Sequence, residues 1–167
     1  MSHYGYGLPL RQAANLIADE MIVCAKMPEA TVFKHQARPG RAIVEAFPNA
    51  FLGVLLDDTD YTALGVIERG RKSDTFYRRV AENGTFETLL ETLQWSDGEL
   101  LTTLQDNAAA VGRAAHDKRA ALVCLLTAAC ALSGQAEFVG DAAGGWICLP
   151  PKALWADWAV HAMDTSG

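Results

Sequence analysis

Between Leu10 and about Lys26 the apolar residues Leu10, Ala13, Ala14, Ile17, Met21 and Cys24 recur every three or four positions. Arg11, Asn15, Asp19 and Glu20 fall largely on other faces, so this pattern predicts an amphipathic helix. Pro9 is placed to start it after a Gly- and Tyr-rich opening, and Pro28 to end it. The stretch 29–40 contains Pro39-Gly40 and reads as a loop, with a short extended piece at Thr31–Phe33. Residues 42–47 have a β-branched centre and a closing proline at Pro48, which predicts a strand. Asn49 is placed to cap a short helix through Phe51, Leu52 and Leu55. Asp57 to Asp60 reads as an acidic turn, and it lacks the spacing of an EF-hand loop. Helices follow at 73–82, 86–93 and 97–105. Ser73 or Asp74 would cap the first of these and Asn83-Gly84 would stop it. Residues 107–115 either extend the last helix or form a loop.

The longest apolar pattern runs from His116 to Pro151, and the rest of the chain is expected to organise around it. From Ala120 to Leu132 only Thr127 is polar, so a helix at 117–133 should be covered on nearly every face. A helix of that length rises only about 20–25 Å, too short to cross a bilayer. Gly134 would stop it, and 137–140 and 145–149 suit two antiparallel strands joined at Gly140–Gly145. A final helix is expected from Lys152 to about Met163, with Trp155 and Trp158 in the core or at an interface.

At 167 residues the expectation is a single domain with a real core. Fourteen basic against twenty acidic residues give a formal net charge of −6, which disfavours a broad nucleic-acid footprint. The four cysteines at 24, 124, 130 and 148 show no zinc spacing and read as buried, reduced thiols of a cytoplasmic protein. No signal sequence and no membrane span are expected.

Several residues are candidates for chemistry. Glu45 shares its parity with Ile43 and Phe47, the strand face expected to look inward. A carboxylate there either points to solvent from a one-faced strand or is held by a partner or a metal. Asp117 either caps the central helix or presents a metal-binding carboxylate toward the strand of Glu45. His116 reads as a solvated histidine or a proton shuttle, and Asp19 and Glu20 as a solvated face or a third carboxylate ligand. The basic residues Arg69, Arg71, Lys72, Arg78 and Arg79 form either a helix flank or an anion site, with Lys72 and Arg79 reaching a phosphate. No P-loop, GxGxxG, GxSxG or HExxH occurs.

IVEAFP, KSDTFYRR, HDKRAALVCLLTA and a Gly-Asp…Gly-Trp-Ile…Pro hairpin follow one another in that order. Together, over about 41–151, they resemble an uncharacterised prokaryotic family of predicted ribonuclease-H-like nucleases. The resemblance implies an α/β fold with carboxylates converging on Mg²⁺ or Mn²⁺, Glu45 and Asp117 among them. Two such charges about 4 Å apart repel by about 4 kcal/mol at an effective dielectric of 20, and a divalent cation relieves that repulsion. The chain departs from the family in its opening, which lacks the strand hairpin with the first aspartate, and in Ala120, where a second aspartate is usual.

The expected architecture is therefore α/β and helix-rich, ribonuclease-H-like but incomplete, with a small mixed sheet crossed by the central helix. Two functions fit. One is a divergent metal-dependent phosphodiesterase acting on nucleic acid, with Glu45, Asp117 and Glu20 on the metal and Lys72 and Arg79 on phosphate. The other is a non-catalytic interaction or assembly module that kept the fold and lost the site. Unpaired sheet edges would favour a homodimer.

Overall fold

A computed structural model describes residues 7–24, 26–27, 32–33, 36–37, 42–65, 72–141 and 145–165. The expected Thr31, Arg69 and Arg71 features lie outside the described residues.

The first helix, α1 (Gly7–Cys24), is followed by a two-stranded antiparallel ribbon, β1 (Val32–Phe33) with β2 (Gln36–Ala37). The strand expected at 42–47 is shorter, β3 (Glu45–Ala46), with an isolated bridge at Ile43. Helix α2 (Pro48–Gly53) begins on Pro48 rather than on an Asn49 cap. Proline at the first helical position needs no N–H partner and has its φ already set, so no side-chain cap is required.

The acidic stretch at 57–60 is not a turn but the start of α3 (Asp58–Gly65). The Asp57 carboxylate accepts the Asp60 amide at 2.7 Å, which satisfies one of the orphan N–H groups of the first turn. Helices α4 (Lys72–Glu82), α5 (Thr85–Thr92) and α6 (Gly98–Ala109) lie close to their expected ranges. Asp97 caps α6 through the Leu100 amide at 3.0 Å.

The central helix α7 (Arg113–Ser133) starts one turn earlier than expected, from Gly112 at φ 95. Asp117 consequently lies in its second turn and does not cap it. Strands β4 (Glu137–Asp141) and β5 (Gly145–Leu149) pair antiparallel, and β3 pairs parallel with β5 through Glu45↔Ile147. The sheet order is β3-β5-β4, the small mixed sheet the sequence predicts. Beyond Pro151 the chain makes a 3-10 turn (Lys152–Leu154) before α8 (Asp157–Asp164), so the single final helix is broken at Trp155–Ala156.

The main core gathers Phe51 and Leu52 of α2, Phe76, Tyr77 and Val80 of α4, Leu89 of α5, Leu104 of α6, and Val123 and Leu126 of α7. Phe138 and Cys148 bring the sheet into it. Each Leu or Phe so buried contributes about 1.5–3 kcal/mol, so packing rather than helix propensity holds these short helices. A smaller cluster of Leu149, Trp155 and Ala159 fixes the C-terminal segment. The Trp155 and Trp158 indoles donate to the carbonyls of Pro150 and Leu56, at 2.9 and 2.7 Å.

Candidate functional site

Arg119 is the one cation whose side chain is 4% exposed in a described ion pair, and three elements meet at it. Its Nε donates to the Asp74 carboxylate at 2.8 Å, and Nη1 donates to the carbonyls of Asn107 and Ala110 at 2.8 and 3.0 Å. Arg119 thus closes the C-terminal end of α6, where unpaired carbonyls and the helix dipole favour a cation. His116, one turn earlier on α7, shares the Asp74 oxygen through Nδ1 at 3.0 Å. Burial opposes charge on Asp74 more than any other single influence, yet Arg119 and His116 together hold its carboxyl below the ordinary value. The node joins α4, α6 and α7.

A second node uses Arg79. Its Nε and Nη2 each lie 2.7 Å from an Asp60 oxygen in a bidentate pair, and Asn83 adds a bond at 3.2 Å. The Arg79 hydrogen bonds, the largest influence, hold the Asp60 carboxyl below its ordinary value. Arg79 is therefore committed to tying α4 to α3. Lys72 lies with Nζ 5.5 Å from the centres of both the Tyr61 and Phe76 rings, and Tyr61 stacks on Trp158 at 4.2 Å. The two predicted phosphate contacts thus have protein partners, an acid for Arg79 and aromatic faces for Lys72.

The predicted carboxylates stand on three different elements. Glu45 is exposed on β3, and Phe47 beside it is 48% exposed, so the parity expected to face inward faces outward. Val44, on the opposite parity, packs on the core. Asp117 is exposed on the side of α7 opposite Val123 and Cys130, away from the core that includes the sheet. Asp19 and Glu20 are exposed on α1, where Glu20 accepts the Cys24 thiol at 3.2 Å. Among the described residues no three of His, Cys, Asp and Glu gather where one cation could bind them. Glu45, Asp117, Asp19 and Glu20 thus do not form a Mg²⁺ or Mn²⁺ cage among the described residues.

What the described surface does offer is a groove. The inner face of α7 carries Ala115, Arg119, Val123, Leu126, Thr127 and Cys130, all buried. Its outer face exposes Ala121, Leu125, Ala128 and Leu132, at alternating four- and three-residue spacing. Leu125 is 44% exposed and Leu132 80%. The helix expected to be covered on nearly every face thus leaves this one open. Alongside it, α5 ends in a Schellman motif: Gln94 takes φ 55, and the Trp95 amide donates to the Leu90 carbonyl at 2.9 Å. That turn sets Leu93 and Trp95 beside α7 and encloses a groove of about 420 Å³, also lined by Ala129 and Ser133. The Gln135 side-chain Nε2 donates to the Thr92 carbonyl at 3.1 Å and ties the two walls together.

No family model, curated protein or solved structure matches the chain.

Function therefore rests on the side chains themselves. Sequence reasoning missed the groove, although its signal was present. Leu125 and Leu132 stand two turns apart in a helix whose other apolar positions suffice for the core. Arg119 was missed because its partner Asp74 is 45 residues away. Of the cysteines, Cys130 and Cys148 are buried as expected, and burial pushes both thiols up to about 12. Cys24 and Cys124 are exposed, which corrects the expectation for them. No helix of the described residues is long and apolar enough to cross a membrane.

Proposed function

We propose that the chain is a non-catalytic interaction module whose docking surface is the groove between the outer face of α7 and the Trp95 turn. The groove suits an apolar helix, recognised through anchors one and two turns apart. One observation carries this reading: Leu125 and Leu132 are exposed on a helix whose opposite face is packed, and they share one groove with the half-buried Trp95. The pairing of Arg79 with Asp60 and of Arg119 with Asp74 gives these polar groups structural work. A titration of the ¹⁵N-labelled chain with a synthetic amphipathic peptide bearing leucines at i, i+4 and i+7 tests it. Shifts should concentrate on the Trp95 indole and on 125–133 and vanish in Leu125→Gln/Leu132→Gln. Shifts elsewhere, or none, would refute the reading.

The second reading is a divergent Mg²⁺- or Mn²⁺-dependent phosphodiesterase, with Glu45, Asp117 and Glu20 as ligands and Lys72 and Arg79 toward phosphate. The resemblance to ribonuclease-H-like nucleases supports it, as does the mixed sheet with Glu45 on β3 and α7 packed beside it. A heat-stability titration with either metal discriminates. Binding to the folded state adds about 2.7 kcal/mol at a hundred times Kd. A rise lost in Asp117→Asn would favour this reading, and no rise at millimolar metal would remove it.

A further inference from the structure

We propose that the helix occupying this groove is α7 of a second copy, the two copies meeting antiparallel about a two-fold axis at Ala128 and Ala129. The inference rests on the groove being a docking surface and names its partner.

An isologous contact requires a patch that is complementary to itself under a two-fold rotation. The outer face of α7 meets that requirement. Its two large exposed residues, Leu125 and Leu132, lie two turns apart, about 10 Å. The midpoint between them falls at Ala128–Ala129, where small side chains let two helices approach closely. Turning a second helix about that point sets Leu132 of each copy against Leu125 of the other. Leu132, the more protruding at 80% exposed, then enters the groove floored by Ala128 and walled by Trp95.

Charge points the same way. All the residues lining the groove are uncharged, whereas the whole chain carries a formal charge of −6. Two like-charged copies repel over most of their surfaces, and a neutral seam is where they can meet. Helix α1 offers a competing occupant, because Leu16 and Val23 are 66% and 75% exposed. Their ridge is flanked by Asp19 and Glu20, however, and α5 ends beside the groove with the exposed Glu91. That pairing would set acids against an acid, so α7 fits better. A seam of two helical turns is smaller than the ~800 Å² per partner typical of stable complexes, so association should be weak and concentration-dependent.

The test uses the full chain. Sedimentation velocity from about 1 to 500 µM should show a reversible monomer–dimer equilibrium, and Leu132→Lys should weaken it about tenfold or more. In a Cys24→Ser/Cys124→Ser background, Ala128→Cys should form a covalent dimer under mild oxidation, because only a residue at the axis meets its own copy. Ala114→Cys, exposed on the same helix but farther along it, should not. Circular dichroism checks that each variant keeps its helices. A chain that stays monomeric throughout, with no Ala128→Cys crosslink, overturns the proposal. So does a dimer that survives Leu132→Lys and lacks that crosslink, since it would form through another surface. If such a chain still binds the amphipathic peptide at 125–133, only the partner is wrong; if the peptide is inert as well, the docking reading falls with it.

Discussion

Replacing Arg119 with methionine keeps most of its aliphatic length in the core and removes the guanidinium donors that tie α4, α6 and α7 together. Three acceptors lose a partner: the Asp74 carboxylate and the carbonyls of Asn107 and Ala110. Breaking a fully buried ion pair from one side costs about 3–5 kcal/mol. The Asp74 side chain is 17% exposed and keeps His116 at 3.0 Å, so the lower end applies, about 3 kcal/mol. For a chain of this size that corresponds to a melting temperature lower by about 6–12 °C. Urea unfolding of the wild type, Arg119→Met, Asp74→Asn and the double variant supplies the full cycle. The double variant should cost clearly less than the sum of the singles, because the second change removes a charge already stranded. The pH dependence follows from the sign of the Asp74 shift. Its carboxyl is held below the ordinary 3.8, so its stabilisation is complete above that value and is lost as pH falls through the depressed one. Below about pH 4 the wild type should therefore lose stability more steeply than Arg119→Met. A loss under about 1 kcal/mol, or strict additivity, would refute the assignment of Arg119 as the clamp of this node.

Gln94 pays for a left-handed turn at φ 55 that glycine adopts freely, so Gln94→Gly should raise stability by about 0.5–1 kcal/mol in urea melts. Gly140 is the converse: at φ 141 an added Cβ would run into the Gly145 carbonyl, so Gly140→Ala should cost more than about 1 kcal/mol and weaken amide protection in β4 and β5. Native thiol labelling at pH 8 should modify Cys24 and Cys124 only. Cys130 and Cys148, buried and pushed up to about 12, should react only on unfolding, which mass spectrometry of tryptic peptides would read.

Local patterns carried most of the architecture. Periodicity sufficed for α4, α5 and α6, and the glycine-bounded apolar runs sufficed for β4 and β5. Boundaries failed where the chain used a device other than a side-chain cap, as at Pro48 and Gly112. Asp57 to Asp60 looked like a solvated turn because Arg79, which Asp60 needs, lies 19 residues on. Whether Glu45 faces solvent or the core stays open in the sequence because a strand of two residues has too little alternation to show which side is covered. The groove is the instructive case. An all-apolar helix and a helix with one apolar docking face have nearly the same composition, and only the surrounding elements decide which one a chain contains.

The parallel pairing of Glu45 with Ile147 has a consequence for how the chain is made. The partner of β3 is roughly a hundred residues downstream, so at about 5–20 residues per second a ribosome delivers it some 5–20 s later. Through that interval α2 to α6 can collapse on their own local contacts while β3 waits with an open edge. The sheet thus closes late, only after α7 has been laid down. A nascent chain stalled before β5 would present helices without a sheet, and limited proteolysis should cut it close to Glu45.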